Sequence, residues 1–405
     1  MPDTTQTSAI SDAATKSYNN DERISSQALQ RPKSWLPGLD LLRASAVFLV
    51  LLGHGKSLLD GTSRLIFDWI FPMPAAWGVE FFFALSGFLI GRQWLNLIDR
   101  KTLSREDSRR ETRRFFAKRW LRTMPTYWLC LALYVCLGFS TANEPRMAWI
   151  VGNILLISSL INIPAAIPVS WTLAIEELSY LWIGLSAWIA SQVPTSRIST
   201  NQTILIFPLI ALATGTTARL NSASHHQWEL IHHGTLQRID ALCYGILIAW
   251  AIRAGLINPG LWSKNTRIGA WLICVAAIIA IQGWCETNTI RLSPQTQSHA
   301  LVFALFIIPA IGACSAAFTA LLATQKPYLG PQALYTLTRA TNKLAQVSYT
   351  VYLTHLPVKL FFSSLSTPQS AAKFLAYLCA SLAVGIAAHP FIENPFMILR
   401  KRYLE

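Results

Sequence analysis

Ten apolar windows, each long enough or nearly long enough to cross a bilayer, fall at about residues 39–58, 77–98, 121–139, 171–190, 203–219, 238–253, 268–285, 300–323, 346–364 and 372–392. Hydrocarbon offers backbone groups no hydrogen-bond partner, so a chain of this pattern crosses as helices that satisfy their own N–H and C=O groups. Composition agrees: 13% of the residues are charged, about half the fraction usual in soluble domains, and the mean hydropathy is +0.37. The expected fold is an all-α membrane protein with about ten transmembrane helices. A further apolar piece, IVGNILLISSLINIPAAIP at 150–168, is interrupted by polar residues and ends on Pro164 and Pro168. It reads as a re-entrant or interfacial segment, with an eleventh crossing as the alternative.

Lys and Arg arbitrate between the two. Ten crossings with the N-terminus inside place 25 Lys and Arg on the inner side and eight on the outer, with Arg43 within the first window. Eleven crossings give 20 against 13. Cytoplasmic loops carry the excess of basic residues, so ten crossings with N- and C-termini cytoplasmic is the expected topology. Residues 1–34, rich in Ser, Thr, Asp and Gln, read as a disordered cytoplasmic tail with no cleavable signal peptide. Residues 35–397 form the transmembrane domain and 398–405 a short basic tail. The net charge of +14 could point to nucleic acid, but the basic residues cluster in short loops between apolar segments. That pattern points to the lipid bilayer and to phosphate-rich ligands, and away from nucleic acid. The seven cysteines lie in or beside the windows with no C-x-x-C spacing, so neither a disulfide framework nor a zinc site is expected. The paired histidines of HHQWELIHHGT, at 225–235, lack a rigid ligand spacing, and no metal is expected there either.

Charged groups inside apolar runs are costly and mark candidate sites. Arg43 and His54 stand eleven residues apart in LDLLRASAVFLVLLGHG. Eleven helical steps of about 100° bring both within roughly 20° of one face, about 16 Å apart along the axis. Two readings stay open: a functional stripe, or a helix-end anchor and a histidine near the far headgroups. In WGVEFFFALSGFLIGRQ (77–93), Glu80 sits among Val79, Phe81, Phe82 and Phe83, while Ser86, Gly87 and Gly91 are read as small residues that let helices approach. Arg119 and Arg122, at i and i+3, share a face at a membrane edge and suit a phosphate. Pro125 either kinks the helix that follows them or starts it. In PVSWTLAIEELSYLW (168–182), Glu176 and Tyr180 share a face at i and i+4. Glu176 is either half of a buried Glu–Arg pair, an orienter of His54, or a ligand for a hydroxylated substrate. Arg238 and Asp240 open RIDALCYG as an ion pair or a substrate contact. Tyr349, Tyr352 and His355 recur at intervals of three in SYTVYLTHLPV (348–358), so this helix either lines a cavity or makes interhelical hydrogen bonds.

The Arg-x10-His of the first helix, GVEFFFALSGFLIG, the Arg-x-x-Arg before P-T-Y, SWTLAIEELSY, RIDALCYG, SYTVYLTHLP and FIENPF together resemble the acyltransferase-3 family of multipass membrane enzymes. They stand in the family's order across about residues 35–397. The resemblance implies transfer of an acyl group, usually acetyl, from cytoplasmic acyl-CoA to a hydroxyl, commonly on an envelope or exported carbohydrate. It implies a bacterial inner-membrane location, Arg43 and His54 as the essential pair, Arg119 and Arg122 as the basic motif, and Glu176 as the fourth-span acid. Ser179 stands where the family commonly has an aromatic residue. Many members append a periplasmic hydrolase-like domain; none is expected here, and acceptor delivery is expected to rely on the membrane domain or a partner.

The expected chemistry has acetyl-CoA as co-substrate, its phosphates held by Arg119, Arg122 and Arg43. His54, Arg43 and Glu176 form the catalytic group, with His54 as general base or transient acyl carrier. Glu80, Tyr180, Arg238, Asp240, Tyr352 and His355 are the expected acceptor contacts. A transporter or flippase for a polar or glycan substrate is the alternative, since intramembrane charges also mark transport paths; such proteins frequently show repeated halves, and none is visible here.

Overall fold

The computed structural model describes residues 37–71, 73–99, 105–139, 147–161, 163–192, 200–287, 296–324 and 331–404. The expected tail at 1–34 lies outside these residues. The chain parts into a unit of Met1–Pro37 and a unit of Gly38–Glu405, and the second carries everything below.

Among the described residues the chain is helical and contains no strand. In chain order the helices are α1 (Pro37–Gly55), α2 (Gly61–Ile70), α3 (Pro74–Asp99), α4 (Arg105–Cys136), α5 (Met147–Ile154), α6 (Trp171–Gln192), α7 (Thr200–Ser224), α8 (Trp228–His233), α9 (Cys243–Arg253), α10 (Lys264–Thr287), α11 (Gln297–Val302), α12 (Ile308–Thr324), α13 (Pro331–Ser364), α14 (Ala371–Ile392) and α15 (Asn394–Leu404). A π turn, Phe303–Ile307, joins α11 to α12. Among the described residues, five stretches are long and apolar enough to cross a membrane: Pro37–Leu58, Gly61–Asn96, Lys264–Cys285, Gln297–Ala323 and Ala371–Ile392. The other expected windows also lie on helices, with two departures. The arginine-rich segment and the third window form one continuous 32-residue helix, α4, which runs through Pro125. The sixth window is not one helix. Residues 234–242 turn, with the amides of Ala241 and Cys243 reaching back three residues to the Arg238 and Asp240 carbonyls, and only the 11 residues of α9 continue as helix.

The segment 150–168 contains no helix long enough to cross. Its eight-residue α5 gives way to turns, and Asn153 ties the fold-back together. The Asn153 amide donates to the Trp149 carbonyl at 2.9 Å and its Oδ1 accepts from the Ala166 amide at 2.7 Å. Tyr127 of α4 donates to the Asn153 carbonyl at 2.7 Å, which fixes the loop to the bundle.

Helix contacts follow the small residues. At Gly87 of α3 a β-carbon would collide with the Leu242 carbonyl, and at Gly245 of α9 one would collide with the Ala84 carbonyl. The two backbones therefore approach as closely as glycine allows, which locks α3 to α9. α1 runs antiparallel to α3, with Gly53 against Ala75 and Gly78 against Ala46 and Val50. Its other face buries Val47, Leu51 and Leu52 against Val347 and Val351 of α13 and Phe374 and Tyr377 of α14. The basic stretch 398–404 belongs to α15, which packs on α4. Just before it, Glu393 is buried and accepts from Thr350 at 2.7 Å, joining the C-terminal helices to α13.

Candidate active site

Arg43 of α1 and Arg119 and Arg122 of α4 come together on one narrow cavity of about 80 Å³. Ser86 of α3, Glu176 and Tyr180 of α6, and Tyr349 and Tyr352 of α13 complete its polar lining. Three guanidinium groups therefore face a space that holds one carboxylate. Arg43 is steadied by Asp40 one turn away, at 3.6 Å. Arg119 donates to Gln93 at 2.9 Å and lies 5.5 Å over the Tyr180 ring. Arg122 makes no hydrogen bond or ion pair among the described residues. A buried-facing guanidinium without a partner among the described residues, beside two others, suits an anion by charge and by donor chemistry.

The carboxylate is held firmly. Ser86 donates to one oxygen of Glu176 at 2.7 Å and Tyr180 to the other at 2.9 Å. Ser86, read from the sequence as a packing residue, is thus part of the site; its place beside Gly87, in a run of small residues with Gly91, disguised it. The neighbouring Glu177 turns away, is buried, and accepts from Thr123 at 2.7 Å. Ser179 turns away from the cavity and bonds back to the Ile175 carbonyl at 2.8 Å.

His54 lies outside the cavity lining, at the far end of α1 from Arg43. The expected contact between Glu176 and His54 is not formed. His54 Nδ1 meets the Val50 carbonyl at 3.1 Å and His355 Nε2 at 3.2 Å, with the two ring centres 4.9 Å apart. Sequence could not show this, because the partner sits 301 residues away. The cavity reaches the pair through Tyr352, one turn before His355. The Tyr352 hydroxyl meets Thr172 at 2.9 Å and the Val169 carbonyl at 3.1 Å, while its ring packs on His355 at 5.9 Å. Beyond the pair stands α8, where His233 packs on Trp171 at 5.0 Å and bonds to Glu229 at 3.2 Å.

Glu80, Arg238 and Asp240 are not among the residues that line the cavity. Glu80 and Arg238 form a buried ion pair with each other, between α3 and the turns before α9. Asp240 receives two bonds from Arg219 of α7, at 2.8 and 2.9 Å, with both side chains out of reach of solvent. Arg219 is fully buried, which its place at the end of an apolar run does not reveal. The two pairs link α3, α7 and the turns before α9, and each charge is set against a partner within the bundle. No three His, Cys, Asp or Glu side chains among the described residues gather as a metal site.

A family model described as an acyltransferase domain matches residues 36–389. No curated protein and no solved structure matches the chain. The matched span takes in α1 through most of α14, and so both the arginine cavity and the histidine pair.

Proposed function

We propose, from the premise that the chain belongs to this family of membrane acyltransferases, that it moves an acetyl group from cytoplasmic acyl-CoA to a hydroxyl of an exported or envelope carbohydrate. The observation that carries the reading is the cavity with three arginines and one carboxylate, in which Arg122 has no partner of its own. The diphosphate of coenzyme A supplies the missing anion. The excess of Lys and Arg on one side supports an Arg43 end facing the cytoplasm, where acyl-CoA is found, and a His54 end facing outward. Both termini are then cytoplasmic, in a bacterial inner membrane.

The pantetheine arm extends from the arginines along the cavity to Tyr352, placing the thioester near the histidine pair. His54 takes the proton from the acceptor hydroxyl as its oxygen attacks the thioester carbonyl. The C–S bond breaks, and the proton passes to the departing thiolate to give free coenzyme A. Glu176, braced by Ser86 and Tyr180, balances the arginines when the site is empty and helps set their positions. It does not serve as the orienter of His54.

Purified membranes containing the protein are expected to release coenzyme A from acetyl-CoA and to label a glycan acceptor with radioactive acetyl. Arg122→Ala is expected to raise KM for acetyl-CoA about tenfold or more, the effect of one lost charge-assisted contact of about 1.5–3 kcal/mol, with kcat nearly unchanged. Wild-type membranes that neither consume acetyl-CoA nor label a glycan extract would overturn the reading.

A further inference from the structure

His54 and His355 bear on a question the arginine cavity leaves open: which nitrogen of His54 is reactive, and what holds it. His355 is fully buried, and its Nδ1 lies 2.7 Å from the Tyr352 carbonyl. A carbonyl oxygen only accepts, so that nitrogen carries the proton. No carboxylate pairs with His355 among the described residues, and a buried ring without a counter-charge stays neutral. Its Nε2 is therefore bare and can only accept. His54 Nδ1 faces that bare nitrogen at 3.2 Å and the Val50 carbonyl at 3.1 Å, two acceptors at once. The proton of His54 must then sit on Nδ1, and its Nε2 is left with a free lone pair. The second-ring hydrogen bond that fixes the tautomer comes from another helix, α13, and is itself fixed by that helix's own backbone.

We propose that His355 is a positioning residue that accepts the Nδ1–H of His54 and so presents His54 Nε2 as the base toward the acceptor hydroxyl. The proposal rests on the acyltransferase reading above and replaces the expected role of His355 as an acceptor contact. It also explains why the side chain is entirely buried, since a positioning ring has no need to reach substrate. During turnover the proton taken from the hydroxyl lands on Nε2, and the imidazolium formed keeps its Nδ1–H on His355 until Nε2 returns the proton to the thiolate. Lys359 and His233 also act on His54 through their charge, but the His54 ring hydrogen-bonds to neither; its partners among the described residues are His355 and the Val50 carbonyl.

Two substitutions separate positioning from mere packing. In His355→Gln the terminal oxygen falls near the position of Nε2 and can still accept from His54. In His355→Asn the shorter side chain fills part of the space and cannot reach. His355→Gln is expected to keep kcat within about fivefold of wild type, and His355→Asn to lose about 30- to 100-fold in kcat with KM for acetyl-CoA unchanged. Melting temperatures and gel-filtration profiles in detergent are measured alongside. Equal losses in the two variants, or losses carried by KM, would overturn the positioning role while wild-type activity still upheld the acyltransferase reading. Should either variant fail to fold, nitrogen-15 spectra of histidine-labelled wild-type protein decide the matter, with His54 assigned by its loss in His54→Gln. A protonated Nδ1 and bare Nε2 on His54 are expected. The opposite tautomer, or an even mixture, would refute the proposal.

Discussion

Replacing His54 with alanine is expected to lower kcat for acetyl transfer by about 10³-fold or more, at the upper part of the range for loss of a general base. The side chain stands at the end of α1, partly buried, and its removal disturbs neither the arginines nor Glu176, whose bonds go to Ser86 and Tyr180. KM for acetyl-CoA is therefore expected to stay within about threefold, and a loss confined to kcat is the signature of a group that acts in the transition state. Rapid-quench labelling with radioactive acetyl-CoA in the absence of acceptor distinguishes the two forms of the chemistry. Direct transfer leaves the protein unlabelled, whereas label bound to wild type and absent from His54→Ala marks an acyl-histidine. Near-normal turnover by His54→Ala would remove His54 from the mechanism altogether.

Much of this site is legible in the sequence. A cation or carboxylate inside an apolar run is expensive enough that Arg43, Arg119, Arg122 and Glu176 stood out singly, and helical spacing put Arg119 with Arg122 and Glu176 with Tyr180. Those four charged groups do share one cavity. What spacing could not supply was partnership across helices. The depth of Glu176 made it a natural mate for His54, yet the bond goes to His355, because α13 and α1 pack side by side through Val347, Val351, Val47 and Leu51. Arg238 and Asp240 share the converse lesson. Two charges two residues apart read as an ion pair or a substrate contact, but the chain turns there and sends one to Glu80 of α3 and the other to Arg219 of α7. Helix periodicity also overstated the sixth window, since the pattern of apolar residues continues through turns that are not helical. Hydrophobicity fixes where the chain is buried; it says little about which buried polar groups meet.

The Arg219–Asp240 pair carries the largest expected effect on stability. Arg219 is wholly buried, and the structure finds a partner for each nitrogen. The two terminal nitrogens grip Asp240, one also reaches the Gln237 carbonyl at 2.7 Å and the other Thr216 at 3.2 Å, and Nε donates to the Ala304 carbonyl at 3.1 Å. Ala304 lies in the π turn; the Ile308 amide goes to the Phe303 carbonyl, and the next residue, Pro309, has no N–H to give, so the side chain supplies the Ala304 carbonyl with a donor. One guanidinium thus joins α7, the turns before α9, and the α11–α12 junction. Asp240→Ala would leave this charge uncompensated in the interior, and breaking such a pair from one side costs about 3–5 kcal/mol. The variant is expected to be recovered poorly and to unfold well below wild type when thermal unfolding is followed in detergent. Arg219→Met combined with Asp240→Leu removes both charges at similar volume and is expected to regain most of the loss, because the expense lies in the orphaned charge more than in the missing bond. A single Asp240→Ala variant as stable as wild type would show that water reaches Arg219 and that the pair is not the clamp its burial indicates. The double variant, lying outside the cavity lining, is further expected to keep the wild-type KM for acetyl-CoA, which separates this structural charge pair from the arginines that face the anion.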